Sequence, residues 1–286
     1  MSADSFRRGA GGIRKARIGC AGWSIPAAHR DRFDGGASAL ARYATRLPCV
    51  EINSSFYRSH KRETYARWAA AVPAQFRFAV KMPRTISHDA RLRQCGRLLD
   101  AFLHECGGLG NKLGCLLLQL PPSLVLDARV AGPFLAMLRR RWDGSIACEP
   151  RHASWFTARA DALLQRHRVA RVATDPATHP GAEVPGGERT LAYWRWHGSP
   201  RMYYSAYGDE RLRDLGHAVS AAVSDACESW IVFDNTAHGH AIDDALRFAA
   251  TVAPRGRQST AKGGVRASRP ASRPAGKRIA VTHDRG

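Results

Sequence analysis

The chain has 286 residues, a length that suits one enzyme-sized domain, and carries 44 Lys and Arg against 24 Asp and Glu. No apolar stretch is long enough to span a bilayer and no signal-peptide segment opens the chain, which argues against a membrane protein and predicts a cytoplasmic one. The seven cysteines form no pair at two-residue spacing, which argues against a disulfide framework or a compact zinc motif.

Positive charge is concentrated at the two ends. Residues 1–17 and 255–286 supply +4 and +8 of the formal net charge of +20. Repeated Ser, Arg, Pro, Ala and Gly in the last segment cannot bury enough apolar surface to order it. We therefore predict a basic N-terminal extension over 1–16, one domain over 17–254 and a disordered basic tail over 255–286. The tail could bind nucleic acid through its phosphates, or it could be a solubilising extension.

Apolar runs alternate with helix-like segments along the chain. The runs that predict strands are 17–23, 49–56, 76–81, 115–120, 145–151, 171–175, 191–197 and 230–235. Apolar residues recur every three or four positions in the segments that predict helices, which are 39–46, 63–71, 91–106, 128–141, 158–167, 211–227 and 241–252. The connection near Gly35 and Gly36 is looser, and 176–188, rich in Pro and Gly, predicts a loop.

Alternating strands and helices favour a parallel sheet, because a parallel crossover needs a long connection. Eight strand-and-helix units in this length predict an α/β fold, a single-domain (β/α)8 barrel of the TIM type. An open doubly wound sheet is the alternative. The barrel is favoured because no predicted strand is followed by the glycine fingerprint of a dinucleotide site.

Three strand ends carry pairs of polar side chains that share a face, since side chains alternate along a strand. The pairs are Glu51 with Asn53, Glu149 with Arg151, and Arg195 with His197. The inward face of a barrel opens into the catalytic bowl at the carboxyl ends of the strands, so we expect the pairs to meet there. We expect three further residues to join them, namely Lys81, Gln119 and Asp175.

The residue types in this bowl suggest roles. Glu51 and Glu149 could act as general acid and base, or each could simply hold an arginine. Lys81 could anchor an anion, pair with a glutamate, or form a Schiff base if desolvation lowers its pKa. Arg151 and Arg195 have planar forks that suit phosphate or carboxylate, and they indicate an anionic ligand.

These roles define the predicted site. The predicted catalytic residues are Glu51, Lys81, Glu149 and His197. The predicted substrate-binding residues are Asn53, Tyr57, His88, Gln119, Arg151, His152, Asp175, Arg195, Tyr203, Asp234 and Asn235.

A divalent metal is an alternative occupant of the bowl, with candidate ligands Glu51, Glu149, Asp175, His197 and Asp234. The positive charges of Lys81, Arg151 and Arg195 would compete with a cation for these carboxylates, and no compact ligand motif is present. We therefore predict neither a metal nor any other cofactor.

Aromatic residues surround the predicted rim. Trp194 and Trp196 alternate with Arg195 and His197, so we expect both tryptophans to pack against the outer helices. Tyrosines in the loop beyond that strand are better candidates for ligand contact, and they are Tyr203, Tyr204 and Tyr207.

Several segments together resemble the YecE-like family, a domain of unknown function. They are residues 50–57 (VEINSSFY), 78–81 (FAVK) with 86–88 (ISH), 117–122 (LLQLPP), 149–152 (EPRH) with 154–156 (SWF), 195–198 (RWHG) and 233–236 (FDNT). The resemblance covers residues 18–250 and implies a TIM-type barrel, but no established reaction. Ser87 stands where the family more often has Thr, and the basic tail lies outside the shared region.

Two functions remain open from the sequence. The first is a barrel enzyme that acts on an anionic small molecule, phosphorylated or of nucleotide type, by hydrolysis, isomerisation or lyase chemistry. The alternative is a nucleic-acid-binding or repair-associated barrel that grips a phosphate backbone, an analogy at the level of the fold.

Overall fold

The structure of the chain is a computed structural model that describes residues 16–222 and 227–252. These residues belong to one unit, Met1–Ala253, and a second unit comprises Pro254–Gly286. The predicted basic tail and all but the last residue of the predicted N-terminal extension lie outside the described residues.

The strands of the described chain form a single sheet. They are β1 (Arg17–Ala21), β2 (Cys49–Ile52), β3 (Arg77–Lys81), β4 (Leu113–Gln119), β5 (Ser145–Glu149), β6 (Ala170–Arg171), β7 (Ala173–Asp175), β8 (Gly186–Gly187), β9 (Leu191–Trp196) and β10 (Glu228–Phe233). Their order is β7-β9-β10-β1-β2-β3-β4-β5-β6-β8, and only the β6–β8 pairing is antiparallel. Runs such as β4 (LGCLLLQ) are apolar on both faces, as expected for parallel strands covered on both sides.

The sheet closes on itself through β6 and β7. Only Val172 separates these strands, so they occupy one position, with β6 paired to β5 and β7 paired to β9. The backbone N–H of Val172 also donates to Cys148 of β5 at 2.8 Å. The predicted eight-stranded barrel is confirmed. One of its eight strands is divided into β6 and β7 at the point where its pairing partner changes.

Helices cover the outside of this barrel. They are α1 (Ala39–Tyr43), α2 (Arg62–Ala70), α3 (Gly96–Cys106), α4 (Ala128–Arg141), α5 (Ala158–Arg166), α6 (Asp209–Ala222) and α7 (His240–Val252). Side-chain caps begin several of them; for example, the Thr157 hydroxyl accepts a hydrogen bond from the backbone N–H of Ala160. In the part of the chain that the structure describes, no helix is long and apolar enough to cross a membrane.

Short helical turns lie between these elements. They are the 3-10 turns Ala27–Arg32, Ser54–Phe56, Gly107–Lys112 and Ala153–Trp155, and the π turn Thr85–Asp89. The turn Ser54–Phe56 ends β2 four residues before the end of the predicted strand. It also brings Phe56 back over the mouth of the barrel, where it contacts Lys81.

Two predictions about local structure were wrong. The third helix begins at Gly96 rather than at residue 91, because Arg91, Leu92 and Gln94 have positive φ angles that a right-handed helix excludes. The Arg91 side chain instead donates to the backbone oxygen of Ser123 at 2.8 Å, which holds this segment to the loop after β4. The predicted loop over 176–188 contains the short strand β8.

Apolar side chains form two separate layers. The larger one fills the space between sheet and helices and includes Trp194 and Trp196, the latter packed edge-to-face on Phe248 of α7 at 4.9 Å. This confirms that both tryptophans face outward. The smaller layer fills the barrel interior and consists of Ala21, Cys49, Ala79, Cys115, Leu117, Ala147, Ala170, Val172, Leu191, Tyr193, Trp230 and Val232.

Close approach of β1 and β2 requires glycine at position 19. A Cβ atom there would lie 2.2 Å from the Cys49 carbonyl oxygen, on backbone that cannot move independently of the sheet. We expect Gly19→Ala to lower the free energy of unfolding by about 1–3 kcal/mol through overpacking. Urea unfolding followed by circular dichroism measures this. The control is Gly35→Ala, where a Cβ meets nothing within 4 Å; equal effects of the two changes would contradict the explanation.

Candidate active site

Six inward-facing polar side chains form a layer next to the apolar layer of the barrel interior. Each of them lies two residues after a member of that apolar layer. The step of two keeps each side chain on the inward face. The steps run from Cys49 to Glu51, Ala79 to Lys81, Leu117 to Gln119, Ala147 to Glu149, Tyr193 to Arg195 and Val232 to Asp234. All six polar side chains are buried. They lie at the carboxyl ends of the strands, where barrel enzymes have their active sites.

Arg195 joins carboxylates from three other strands. Its Nε and Nη2 donate to the two oxygens of Glu51 at 3.0 and 2.8 Å. Its Nη1 donates to Glu149 Oε2 at 2.5 Å, and Nη2 also donates to Asp234 Oδ2 at 2.7 Å. Arg195 is fully buried and most of its N–H donors are occupied by these carboxylates. Arg195 therefore organises the bowl, and this arrangement differs from the predicted pair of arginines that clamp a ligand.

The Arg195 network keeps its members charged. Burial alone would raise the pKa of Glu149 and of Asp234, but Arg195 acts together with other neighbours, such as Arg151 beside Glu149, and their combined effect lowers both pKa values, that of Glu149 strongly. Burial likewise opposes the charge of Arg195, yet Asp234 and Glu51 hold its pKa well above the usual value. Buried charges persist only where such partners satisfy them, so the network is a set of mutually dependent ions.

His197 points an unpartnered nitrogen into the bowl. Its Nδ1 lies 3.1 Å from Asp234 Oδ2, and an ionised carboxylate can only accept, so Nδ1 carries the proton. The other ring nitrogen, Nε2, is buried, lies 3.4 Å from Glu149 Oε1 and makes no hydrogen bond to any described residue. Asn53 has a similar arrangement, since its Nδ2 donates to Asp234 Oδ1 at 3.3 Å and its Oδ1 is buried without a partner.

Arg151 lies at the edge of the network. Its Nε donates to Glu149 Oε1 at 2.9 Å and its Nη2 donates to the Tyr203 hydroxyl at 2.8 Å, while Gln119 Nε2 donates to the same Glu149 oxygen at 3.0 Å. Tyr203 has a left-handed backbone, with φ of 70°, and its ring packs edge-to-face on His197 at 5.4 Å. Nη1 of Arg151 has no partner among the described residues, so one arm of this half-exposed fork is available.

Lys81 lies apart from every carboxylate of the network. Its Nζ sits 4.2 Å from the centroid of the Phe56 ring and forms neither an ion pair nor a hydrogen bond with any described residue. The residue is 6% exposed and Nζ is not fully buried, so the amine keeps contact with solvent. Burial, and after it the charge of Arg195, lower the pKa of Lys81 to about 8.

Two predicted residues form the rim beside Lys81. His88 packs edge-to-face on Phe56 at 5.0 Å, and burial, together with the nearby Lys81 charge, lowers its pKa. Tyr57 packs on the same ring at 4.9 Å and is 75% exposed. Tyr204, the other exposed aromatic residue in the described chain, lies in the loop after β9. Both exposed rings therefore stand at the mouth of the bowl.

Three predicted residues are not brought into the network. Asp175 pairs with Arg211 of α6, because Thr174 rather than Asp175 is in register with Arg195 and takes the inward face. Asn235 follows the inward Asp234 by one position, so it faces outward and donates to Asp244 of α7 at 2.6 Å. His152 Nδ1 accepts a hydrogen bond from the backbone N–H of Ser154 and caps the short turn after β5.

The predicted ligand contact of Tyr207 is also unsupported. Its hydroxyl accepts a hydrogen bond from the backbone N–H of Gly198 and donates one to the backbone oxygen of Asp175.

Sequence reasoning missed two residues of the bowl. Tyr193 donates its hydroxyl to Glu51 Oε2 at 2.9 Å, below Arg195. Thr174 is buried at the level of Arg195, with an unpartnered Oγ1. The signal for Tyr193 was present, because it stands two positions before Arg195 in β9. No comparable signal marked Thr174, whose inward orientation depends on the register with β9.

Two surface cavities in the described part of the chain lie away from the bowl. One of about 140 Å³ is lined by Arg91, Val125 and Trp155, and one of about 380 Å³ by Arg129, Ser154 and Arg159, among others. Both lie beside the loops that follow β4 and β5, and none of the buried charged groups lines them. The bowl is the candidate site because unpartnered polar groups converge there.

Comparison with known proteins confirms the resemblance seen in the sequence. The model of a family described as "Protein of unknown function DUF72" matches residues 17–269. UPF0759 protein YecE of Escherichia coli (strain K12) is 39% identical over 106 residues, which are 37% of this chain and 38% of that protein. UPF0759 protein YunF of Bacillus subtilis (strain 168) is 26% identical over 153 residues, 49% of this chain and 52% of that protein. The chain thus spans about 38% and 52% of the lengths of these curated relatives.

Solved structures share the fold. A DUF72 family protein from Enterococcus faecalis V583 superposes with a TM-score of 0.67 at 24% identity, over 83% of this chain and 95% of that chain. A DUF72 family protein from Thermotoga maritima MSB8 gives 0.67 at 22% identity, over 82% and 98%. Likeness at this level of identity supports the barrel and carries no information on the reaction.

Proposed function

This chain belongs to the DUF72 family of proteins of unknown function, and we propose that it is a barrel enzyme that acts on a small anionic substrate. The substrate binds in the bowl at the carboxyl ends of the strands. Lys81 and Arg151 hold or react with it, and His197, oriented by Asp234, moves a proton. Asn53 and Tyr203 orient its polar groups.

One observation carries the choice of an anion. The carboxylates of Glu51, Glu149 and Asp234 are already neutralised by Arg195. Lys81 therefore has no carboxylate partner, and Arg151 keeps a free Nη1 although its Nε is bound to Glu149. Donors left over in a largely buried site favour a ligand with phosphate or carboxylate oxygens.

The orphaned acceptors favour catalysis over simple storage of an anion. His197 Nε2 and Asn53 Oδ1 are both buried and unpartnered, and each residue is held by one oxygen of Asp234. A buried polar atom without a partner is costly unless a ligand or a reacting group satisfies it. Asp234 binds Nδ1 and so orients the His197 ring, and we assign proton transfer to the Nε2 atom that this leaves without a hydrogen bond.

Thermal unfolding in the presence of candidate anions tests this proposal. A ligand at about 100 times its Kd stabilises the folded state by about 2.7 kcal/mol. We expect such stabilisation from one class within a panel of sugar phosphates, nucleotides and 2-oxo acids. Arg151→Gln removes a charged hydrogen bond to the ligand, so the Kd should rise by roughly tenfold or more.

The matched control is Arg141→Gln at the carboxyl end of α4, which faces the opposite end of the barrel and pairs with Asp100. It should leave the Kd unchanged. A stabilising anion whose affinity is the same in wild type and Arg151→Gln would show that the anion binds outside the bowl.

A further inference from the structure

Lys81 combines three properties that an anchor for an anion does not need. Its amine is nearly buried, it lies on the face of an aromatic ring, and it is separate from the carboxylates within the same layer. An anchor works best when it remains an ammonium ion, yet here burial and Arg195 together outweigh Glu149, Glu51 and Asp234, which favour the charge. The groups that face Lys81 from the surrounding elements are Glu51, His88, Glu149, Arg195 and Asp234.

We propose that Lys81 is a nucleophile that forms an imine with the carbonyl carbon of a substrate bearing a carboxylate or phosphate group. This inference rests on the proposed function, since it names the substrate class of the same site. The geometry behind it is an amine that reaches solvent at the mouth of the bowl with no partner of its own.

The step balances without an added oxidant or reductant. The neutral Lys81 nitrogen attacks the carbonyl carbon, and a C–N bond forms while the carbonyl π electrons move to oxygen. Both amine protons are transferred to that oxygen, which leaves as water when the C=N bond forms. The reverse reaction with water releases the product and restores the amine.

The residues around Lys81 suit this step. Asp234 neighbours both Lys81 and His197, so we assign the proton transfers between nitrogen and oxygen to the His197 ring. Arg151 Nη1 is available for the carboxylate or phosphate of the substrate. Phe56 fixes the Lys81 chain, which reduces the entropy lost on reaching the reactive geometry.

The electrostatics of the bowl supply the neutral amine. With a pKa of about 8 instead of 10.5, Lys81 has a neutral fraction at pH 7 larger than that of an ordinary lysine, on the order of a hundredfold.

Reductive trapping tests the imine on the full chain. The protein is incubated near neutral pH with pyruvate or glyoxylate and cyanoborohydride, and the modified lysine is identified by peptide mass mapping. We expect modification of Lys81 at a rate at least about tenfold above that of Lys61, because only the neutral amine reacts. Lys81→Arg should abolish this fast modification, and Lys61→Arg should leave it unchanged.

Equal rates at Lys81 and Lys61 in the wild-type protein would overturn the imine, and this comparison does not depend on whether a variant folds. The binding of anions is measured separately by thermal unfolding. If Arg151→Gln still abolishes stabilisation by pyruvate while Lys81 stays unmodified, the imine is wrong and the anion-binding bowl stands. If pyruvate and the other anions neither stabilise the protein nor modify Lys81, both proposals fail.

Discussion

Replacing Arg195 by alanine is expected to destabilise the protein more than any other change considered. The variant leaves Glu51, Glu149 and Asp234 buried together without their shared cation. Breaking a buried ion network by removing one partner costs about 3–5 kcal/mol, because the remaining charges are desolvated and uncompensated. For a domain of this size that corresponds to a fall in Tm on the order of 10 °C. Chemical and thermal unfolding at neutral pH measure the loss.

The pH dependence gives this prediction a second, independent test. In the wild type the pKa of Glu149 lies well below its usual value, so its contribution to stability is present above the unfolded pKa and is lost as pH falls through the folded pKa. Without Arg195, Glu149 loses the cation that most strongly opposes burial, so we expect its pKa to rise and the penalty to be greatest at neutral pH and relieved in acid. The stability difference between wild type and variant should therefore shrink as pH falls from 7 toward 5.

Arg141→Ala is the matched control for Arg195→Ala, since it removes an arginine from an exposed ion pair with Asp100. Exposed pairs contribute little, so its effect should be much smaller. The loss in free energy of unfolding caused by Arg195→Ala could instead stay constant with pH. That result would mean that lost packing, rather than uncompensated charge, destabilises the variant.

Replacing Lys81 by methionine is expected to stabilise the protein, in contrast to Arg195→Ala. Methionine keeps an unbranched chain on the Phe56 ring and removes an amine that is costly to bury. The pKa of Lys81 falls from 10.5 to about 8 on folding, which corresponds to a penalty on the order of 3 kcal/mol at neutral pH. We expect Lys81→Met to increase the free energy of unfolding by up to roughly that amount, while it abolishes imine formation.

The pH dependence of the Lys81→Met effect follows from the direction in which folding shifts the pKa of Lys81. Below pH 8 the amine is protonated in both states, and the wild type carries the full penalty. Between pH 8 and 10.5 the unfolded chain binds more protons than the folded one, so the stability of the wild type rises with pH. The advantage of Lys81→Met should therefore decrease over this window in urea unfolding.

Lys61→Met is the matched control for Lys81→Met, because Lys61 is exposed and its replacement should have little effect at any pH. A Lys81→Met variant that is less stable than wild type near neutral pH would indicate that Lys81 is a structural ion, contrary to the role proposed for it. Arg195→Ala is expected to lower the free energy of unfolding, and Lys81→Met is expected to raise it. This contrast distinguishes a residue that stabilises the fold from one whose burial costs stability, as proposed for a functional residue.

The alternation of side chains along strands made much of the bowl predictable. It placed Glu51, Glu149 and Arg195 inside the barrel and Trp194 and Trp196 outside it, as the structure has them. The same rule shows that Asp234 and Asn235 cannot both face inward, and the structure places only Asp234 there. Applied fully, it also points to Tyr193, two positions before Arg195.

Turns and short strands were harder to predict, since their local conformation depends on distant contacts. The positive φ angles at Arg91 and Leu92 accompany the attachment of Arg91 to Ser123, a residue in another loop. For Asp175, a strand of three residues has no pattern long enough to reveal which face is inward. Its pairing with β9 decides, and that pairing puts Thr174 beside Arg195.

The sequence by itself determined the order of the eight barrel strands, the family and most of the residues that could reach the bowl, because periodicity and local motifs are properties of contiguous chain. Only the tertiary structure decided which of those residues form ion pairs with one another. Ion pairing depends on distances among side chains from different strands, and these distances give all three carboxylates to Arg195 and leave Lys81 with none. That division turned Arg195 from a predicted ligand clamp into a structural centre, and it underlies our proposal that Lys81 is the reactive residue.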